Sequence, residues 1–132
     1  AAPAANAGSN GLAAVLASAD AAKGAKDARA CLACHSFDKG GPNKVGPNLY
    51  NIVGRDIATA PGYSYSDALK TKDPNGDTVW TYALLDQWLT KPSHFAPGTK
   101  MTYAGIAQPN KRADVLAYLQ SLSDNPVPFT AN

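Results

Sequence analysis

The chain has 132 residues, 45% of them hydrophobic, and a formal charge of only +2. That length gives one domain, and the small charge, without a basic run of five or more residues, excludes a nucleic-acid binder. Ten prolines and eleven glycines are many for this length and predict a loop-rich protein whose short helices wrap something other than a large core of their own. No stretch approaches eighteen consecutive apolar residues, so none reads as a membrane span. Residues 1–11 (AAPAANAGSNG) have too little to bury and read as a flexible linker or processed end. They lack the charged-then-apolar layout of a signal peptide, as a mature or truncated form would. A globule is expected over residues 12–124 and a fraying tail over 125–132.

Leu12, Val15, Leu16 and Ala19 recur at helical spacing and give the first stripe. Asp20 is placed to cap a second helix over Asp20–Ala30. Gly24 inside it costs about 1 kcal/mol against alanine and points to a close helix contact.

Cys31, Leu32, Ala33, Cys34 and His35 follow as a CxxCH run that uses both cysteines of the chain. This is the attachment signature of a c-type haem. On a helix of 3.6 residues per turn the two cysteines share a face, so their sulfurs can add to two vinyl groups along one porphyrin edge. His35 then falls beneath the iron as the proximal ligand, while the rest of the chain must supply a sixth ligand and a dry pocket. A zinc site needs four closed ligands, and with no other cysteine only His94 remains as a nitrogen donor. A thioredoxin-like pair needs a strand before the motif and a βαβ pattern, whereas the preceding residues are alanine-rich and helical in tone. The expected cofactor is one haem c, covalent through Cys31 and Cys34. Its attachment on the outer side of the bacterial inner membrane makes the periplasm the expected compartment, with a tether to that membrane's outer face left open.

From Ser36 to Pro61 glycine, proline and asparagine dominate and predict a looped wall. Ser64 or Ser66 is placed to cap a short helix through Asp67, Ala68 and Leu69. KDPNGD (Lys72–Asp77) is a turn cluster, after which Thr78 is expected to cap a helix over Val79–Lys91, ended by Pro92. Leu84, Leu85, Trp88 and Leu89 would face inward. A last helix is expected from Asn110, with Val115, Leu116, Leu119 and Leu122 on its buried face. The pattern holds no convincing strand and no internal repeat.

Three segments, KVGPNLYNIVGR (Lys44–Arg55), APGYSYSDAL (Ala60–Leu69) and PGTKMTYAGI (Pro97–Ile106), make the chain resemble a class I cytochrome c of the mitochondrial and alphaproteobacterial kind, from about Asp20 to Leu122. The resemblance implies an all-α fold of short helices and loops wrapped around one covalent haem. It makes Met101, the only methionine, the sixth ligand opposite His35; outside such a context a lone methionine is more often a core gap-filler. A soft neutral sulfur favours ferrous iron, so His/Met ligation implies a high-potential carrier with no open position for oxygen or peroxide. Pro47, within Gly46–Leu49, would accept the His35 Nδ1 proton on its carbonyl and fix the tautomer. Arg55, Tyr65 and Trp80 match residues that hold the propionates in relatives; the plainer alternative is an arginine on a rim and two aromatics in a small core. Thr99 matches a threonine supporting the inner propionate.

Departures from the family pattern are also visible. Trp88 stands where relatives place a tyrosine whose hydroxyl reaches the methionine sulfur, and an indole has one donor and no acceptor. Leu69 replaces a polar residue, making the methionine side of the haem more apolar. The usual aromatic of the N-terminal helix is missing, with Ala28 near its place, leaving Gly24 and Tyr118 to form the crossing of first and last helices. Several extra residues between Ala68 and Trp80 fall in the KDPNGD turn.

The expected function is that of a one-electron carrier, not an enzyme, between a quinol-oxidising cytochrome complex or dehydrogenase and a terminal oxidase or reductase. Redox partners would bind a monomer transiently at the haem edge. There Lys44 and Lys100 keep the lysine positions of relatives, Ser93 and His94 occupy two others, and Lys39 and Lys91 lie nearby. His94 reads as a surface residue rather than a haem ligand. Two alternatives stand beside this: a dedicated electron-accepting subunit of a periplasmic dehydrogenase, and a haem peroxidase or gas sensor with a labile Met101.

Overall fold

A computed structural model describes residues 12–60, 62–101 and 103–129. The expected linker 1–11 lies outside the described residues, as do positions 130–132 of the expected tail. The helices are α1 (Leu12–Ala17), α2 (Ala21–Asp27), α3 (Asp67–Lys70), α4 (Tyr82–Thr90), α5 (Pro92–Phe95) and α6 (Pro109–Ser121), with a 3-10 segment over Ala28–Ala33. Among the described residues the one strand-like pairing is an isolated antiparallel bridge between Asp56 and Val79. The fold is all-α. No helix among the described residues is long and apolar enough to cross a membrane.

Helix α6 is the spine, with α1, α2 and α4 all packed on it. It begins at Pro109, one residue earlier than expected, because proline at the first helical position lacks only an N–H that no helix end can satisfy internally. Ala113, Val115, Leu116, Ala117 and Leu119 are buried along it, and α1 adds Leu12 and Leu16 to the same core. The N-terminus of α2 is fixed twice by Asp20. Its carboxylate accepts from the N–H groups of Ala22 (2.9 Å) and Lys23 (3.3 Å), and its own N–H donates to the Asp114 carboxylate on α6 (2.8 Å).

Gly24 makes the α2–α6 crossing possible. A Cβ there would sit 1.9 Å from the Asp114 carbonyl oxygen and 2.9 Å from the Val115 nitrogen. The glycine therefore meets the α6 backbone at Asp114–Val115. Tyr118, one turn on, sets its ring edge-on to Phe37 with centroids 5.3 Å apart.

Helix α4 begins three residues later than the pattern predicts, capped by Thr81, whose hydroxyl accepts from the Leu84 N–H (3.1 Å). The reason is competition for backbone. Thr78 O accepts from Ile57 N (2.9 Å), Trp80 N donates to Arg55 O (2.9 Å) and Trp80 O accepts from Gly54 N (2.9 Å), so residues 78–80 are already paired with the looped wall. Of the two serines proposed for α3, Ser66 is the cap, accepting from Leu69 N at 3.2 Å.

The expected fraying over 125–132 does not hold over the described part of the tail. Val127 and Phe129 pack on the core. The Val127 carbonyl accepts from the Tyr82 hydroxyl and from Gln120 Nε2 (3.0 Å), and the Phe129 ring lies 5.3 Å from that of Tyr82. Asp124 closes the turn on Asn51, Tyr50 and Lys39. Periodicity stops at Leu122, but apolar residues beyond a helix end still bury themselves where a groove is open.

Candidate functional site

The CxxCH run departs from ideal helix geometry. Cys31 lies in the 3-10 segment, and Cys34 is its C-terminal cap at φ −125°. Cys34 follows the segment directly, so both cysteines belong to one tight turn. The N–H groups of Cys34 (3.0 Å) and His35 (2.8 Å) both donate to the Cys31 carbonyl, closing the turn.

His35 is then held by the looped wall. Its Nδ1 lies 2.7 Å from the Pro47 carbonyl oxygen, which can only accept, so Nδ1 carries the proton and Nε2 keeps its lone pair. Gly46 N donates to Cys34 O at 2.7 Å, fastening wall to motif. The imidazole leaves no room for a side chain at position 46, where a Cβ would stand 2.3 Å from Cε1 and 2.6 Å from Nδ1. Burial lowers the His35 pKa, the Pro47 bond opposes this, and the Lys44 and Arg55 cations lower it further. The ring is thereby biased toward the neutral form that ligates a metal. Burial likewise pushes the Cys31 thiol up, as for an inert thiol rather than a reactive thiolate.

These groups open into a cavity of about 290 Å³. All ten residues singled out from the sequence line it: Cys31, Cys34, His35 and Pro47 on the motif side, Arg55, Tyr65 and Trp80 from the looped wall and the approach to α4, and Trp88, Thr99 and Met101 from α4 and the segment after α5. Leu85, Leu89, Val115 and Leu119 form its apolar back. Their spacing marks them as inward-facing, but a periodic stripe does not tell a cavity wall from a helix–helix seam. Gly46 and Tyr63 also line it, and sequence reasoning assigned neither a role there. The signal for Gly46 was its place before Pro47.

The polar members are partly committed. Arg55 donates to the carbonyls of Asn48 (3.0 Å) and Tyr50 (3.3 Å). The Tyr65 hydroxyl accepts from Ala60 N (2.8 Å), and burial raises its pKa. Thr99 Oγ1 faces the Met101 N–H at 3.5 Å. Trp88 enters an aromatic cluster, 5.8 Å from Trp80 and 6.0 Å from Phe95 between centroids. Leu69 is buried and lines the same wall.

At the rim, Lys44 and Lys100 are exposed, with Nζ donating to Leu32 O (2.6 Å) and Ser64 O (3.0 Å). Among the described residues the exposed large hydrophobics are Leu32, whose carbonyl Lys44 reaches, and Val45. Lys39 is instead paired with Asp124 at 2.8 Å, and His94 is exposed.

The donor set fits haem c. Two cysteines, a neutral imidazole with free Nε2 and a thioether on the same cavity, with an apolar lining, are what covalent attachment and ligation need. Left unfilled, an apolar cavity of this volume would forfeit on the order of 7 kcal/mol at ~24 cal/mol per Å³. That rivals the whole stability of a small domain. The fold and site together define a c-type haem protein.

Comparison with known proteins gives the family. The chain belongs to the cytochrome c family, whose model, Cytochrome c, matches residues 20–123. A curated relative, the "Cytochrome c homolog" of Bradyrhizobium diazoefficiens, is 47% identical over 116 residues, 87% of this chain and 61% of the relative. Cytochrome c-550 of Ancylobacter novellus is 42% identical over 102 residues, 77% of this chain and 94% of its own. Among solved structures, cytochrome cH from Methylobacterium extorquens superimposes with a TM-score of 0.67 at 45% identity, covering 77% of this chain and 98% of that one. The chain spans only about 60% of the first curated relatives it matches. The family's covalent haem c uses cysteines, and Cys31 and Cys34 are the two available.

Proposed function

We propose that this chain is a one-electron carrier whose haem c iron is ligated by His35 Nε2 and Met101 Sδ. The observation that carries the reading is the convergence, on one apolar cavity, of an imidazole fixed through Nδ1 and the chain's single methionine. When bound, haem c supplies reversible one-electron chemistry. The chain's own residues keep the site unchanged between oxidation states: Pro47 orients His35, Gly46 admits the ring, and the leucine wall excludes water. Arg55, Tyr65, Trp80 and Thr99 are assigned to the propionate side, where a guanidinium and neutral donors offset carboxylate charge.

Electrons would leave at the rim near Lys44 and Lys100, whose exposed ammonium groups suit an acidic redox partner. Donors would be a quinol-oxidising cytochrome complex or a dehydrogenase, and acceptors a terminal oxidase or reductase, in the periplasm. Charge reversal at Lys100 should slow electron transfer to an acidic partner at low ionic strength, with the difference shrinking as salt rises; an unchanged rate would remove Lys100 from the docking face.

Ligation by both His35 and Met101 would also separate a carrier from a peroxidase or gas sensor. Exposing the reduced protein to carbon monoxide at neutral pH tests this. The carrier reading expects no change in the visible spectrum, and rapid complex formation would overturn it.

A further inference from the structure

Met101 sits on a strap of chain that leaves α5 at Ala96 and rejoins the body at Ile106, and its rear end is fastened by a group outside the cavity. Arg112 on α6 is buried, and its Nε donates to Asp86 Oδ1 on α4 at 2.7 Å. Its Nη1 donates to the carbonyl oxygens of Ile106 (2.8 Å) and Ala107 (3.1 Å). One guanidinium therefore binds a carboxylate and two strap carbonyls at once, using the forked donors that a lysine lacks. The two side chains are only 10% and 16% exposed, so solvent screens the pair weakly.

The strap docks at the same place by backbone. Ile106 N donates to Leu89 O at 2.8 Å, and Gly105, at φ +102°, passes so close that a Cβ would lie 2.1 Å from Thr90 O. Asp86 and Arg112 line no part of the cavity. Their bonds tie α4 and α6 to the strap from outside the cavity.

We infer that the Asp86–Arg112 pair is a positioning unit for Met101: by clamping Ile106–Ala107 to α4 it holds the strap closed and keeps the thioether on the iron. This rests on the His35/Met101 reading above. An exogenous ligand enters only when the strap is open, so its apparent affinity scales with the open fraction. Loss of the Asp86 carboxylate leaves Arg112 buried without its counter-charge and loosens both strap carbonyls.

The test uses ferric holoprotein titrated with imidazole, alongside thermal unfolding of each variant. Asp86→Asn should bind imidazole about tenfold tighter than the parent through a larger open fraction, and Asp86→Glu should recover most of the difference. Phe129→Ala, which loosens the tail on Tyr82, serves as a destabilised control and should leave imidazole affinity within about twofold of the parent. If Asp86→Asn leaves the affinity unchanged, or if both variants shift it in proportion to lost thermal stability, the positioning role is overturned. If Met101→Ala binds imidazole no more tightly than the parent, the ligand assignment itself fails, an outcome distinct from the other two.

Discussion

The two sides of the cavity are held in different ways. On the histidine side His35 lies inside the CxxCH run, and the looped wall is bonded directly to its ring and to its chain neighbours. Gly46 N reaches Cys34 O (2.7 Å), His35 Nδ1 meets Pro47 O (2.7 Å), Leu49 N reaches Ser36 O (2.9 Å) and Asn48 Nδ2 reaches Ser36 Oγ (2.8 Å). On the methionine side the strap is held by Thr99 N to Ala96 O (2.9 Å), Lys100 Nζ to Ser64 O (3.0 Å) and Ile106 N to Leu89 O (2.8 Å), while Met101 N has a long 3.5 Å contact with Thr99 Oγ1. His35 is held through its own ring, whereas Met101 is held through the chain on either side of it. The methionine side is thus the one from which the site should open first.

The largest expected effect tests whether either side stands without the group between them. Removing haem should leave both walls facing an apolar gap whose cost, on the order of 7 kcal/mol, approaches the stability of the domain. The chain without haem is expected to lose its cooperative thermal transition and most of its helical circular dichroism. A sharp transition retained without haem would mean that the helices carry the fold alone.

Next in size is Gly46→Ala. The added methyl would lie 2.3 Å from His35 Cε1, against a ring already pinned by Pro47, so relief requires moving the wall. A loss of about 3 kcal/mol in denaturant unfolding of the ferric protein is expected, at the upper end for overpacking. A loss under about 1 kcal/mol would show the histidine side to be as pliant as the strap.

The smallest effect concerns the tail, which packs on Tyr82 of α4. Burial pushes the Tyr82 phenol up to about 12 from the ordinary 10.0. A raised pKa means that the folded form holds its proton more tightly, so this stabilisation is complete below pH 10 and is lost as pH climbs from there toward about 12. Denaturation curves of the parent over that range should fall more steeply than those of Tyr82→Phe. Parallel curves would contradict a buried phenol.

Much of the site was legible because its chemistry is local or strongly typed. CxxCH needs no tertiary information, and the segments around Pro47, Arg55, Tyr65 and Met101 carry a family pattern that places them around one cavity. What was not legible is where the backbone groups of separate segments pair. Thr78 looked like a cap until residues 78–80 were seen to bond to residues 54–57. Gly24 announced a close contact but not that Asp114–Val115 would meet it. The tail beyond Leu122 has no periodicity, yet Val127 and Phe129 find a groove that only the folded α4 and α6 create. Arg112 carries no motif at all, and only the folded chain brings its fork onto Asp86 and the strap carbonyls.

The central claim is that Met101 sulfur completes the iron's coordination opposite His35. The ferric visible spectrum at neutral pH tests it most directly, searched for the weak long-wavelength band of a thioether on low-spin haem iron. The account predicts that band in the parent and its loss in Met101→Ala. A parent without the band, or a Met101→Ala protein that keeps it, would contradict the account.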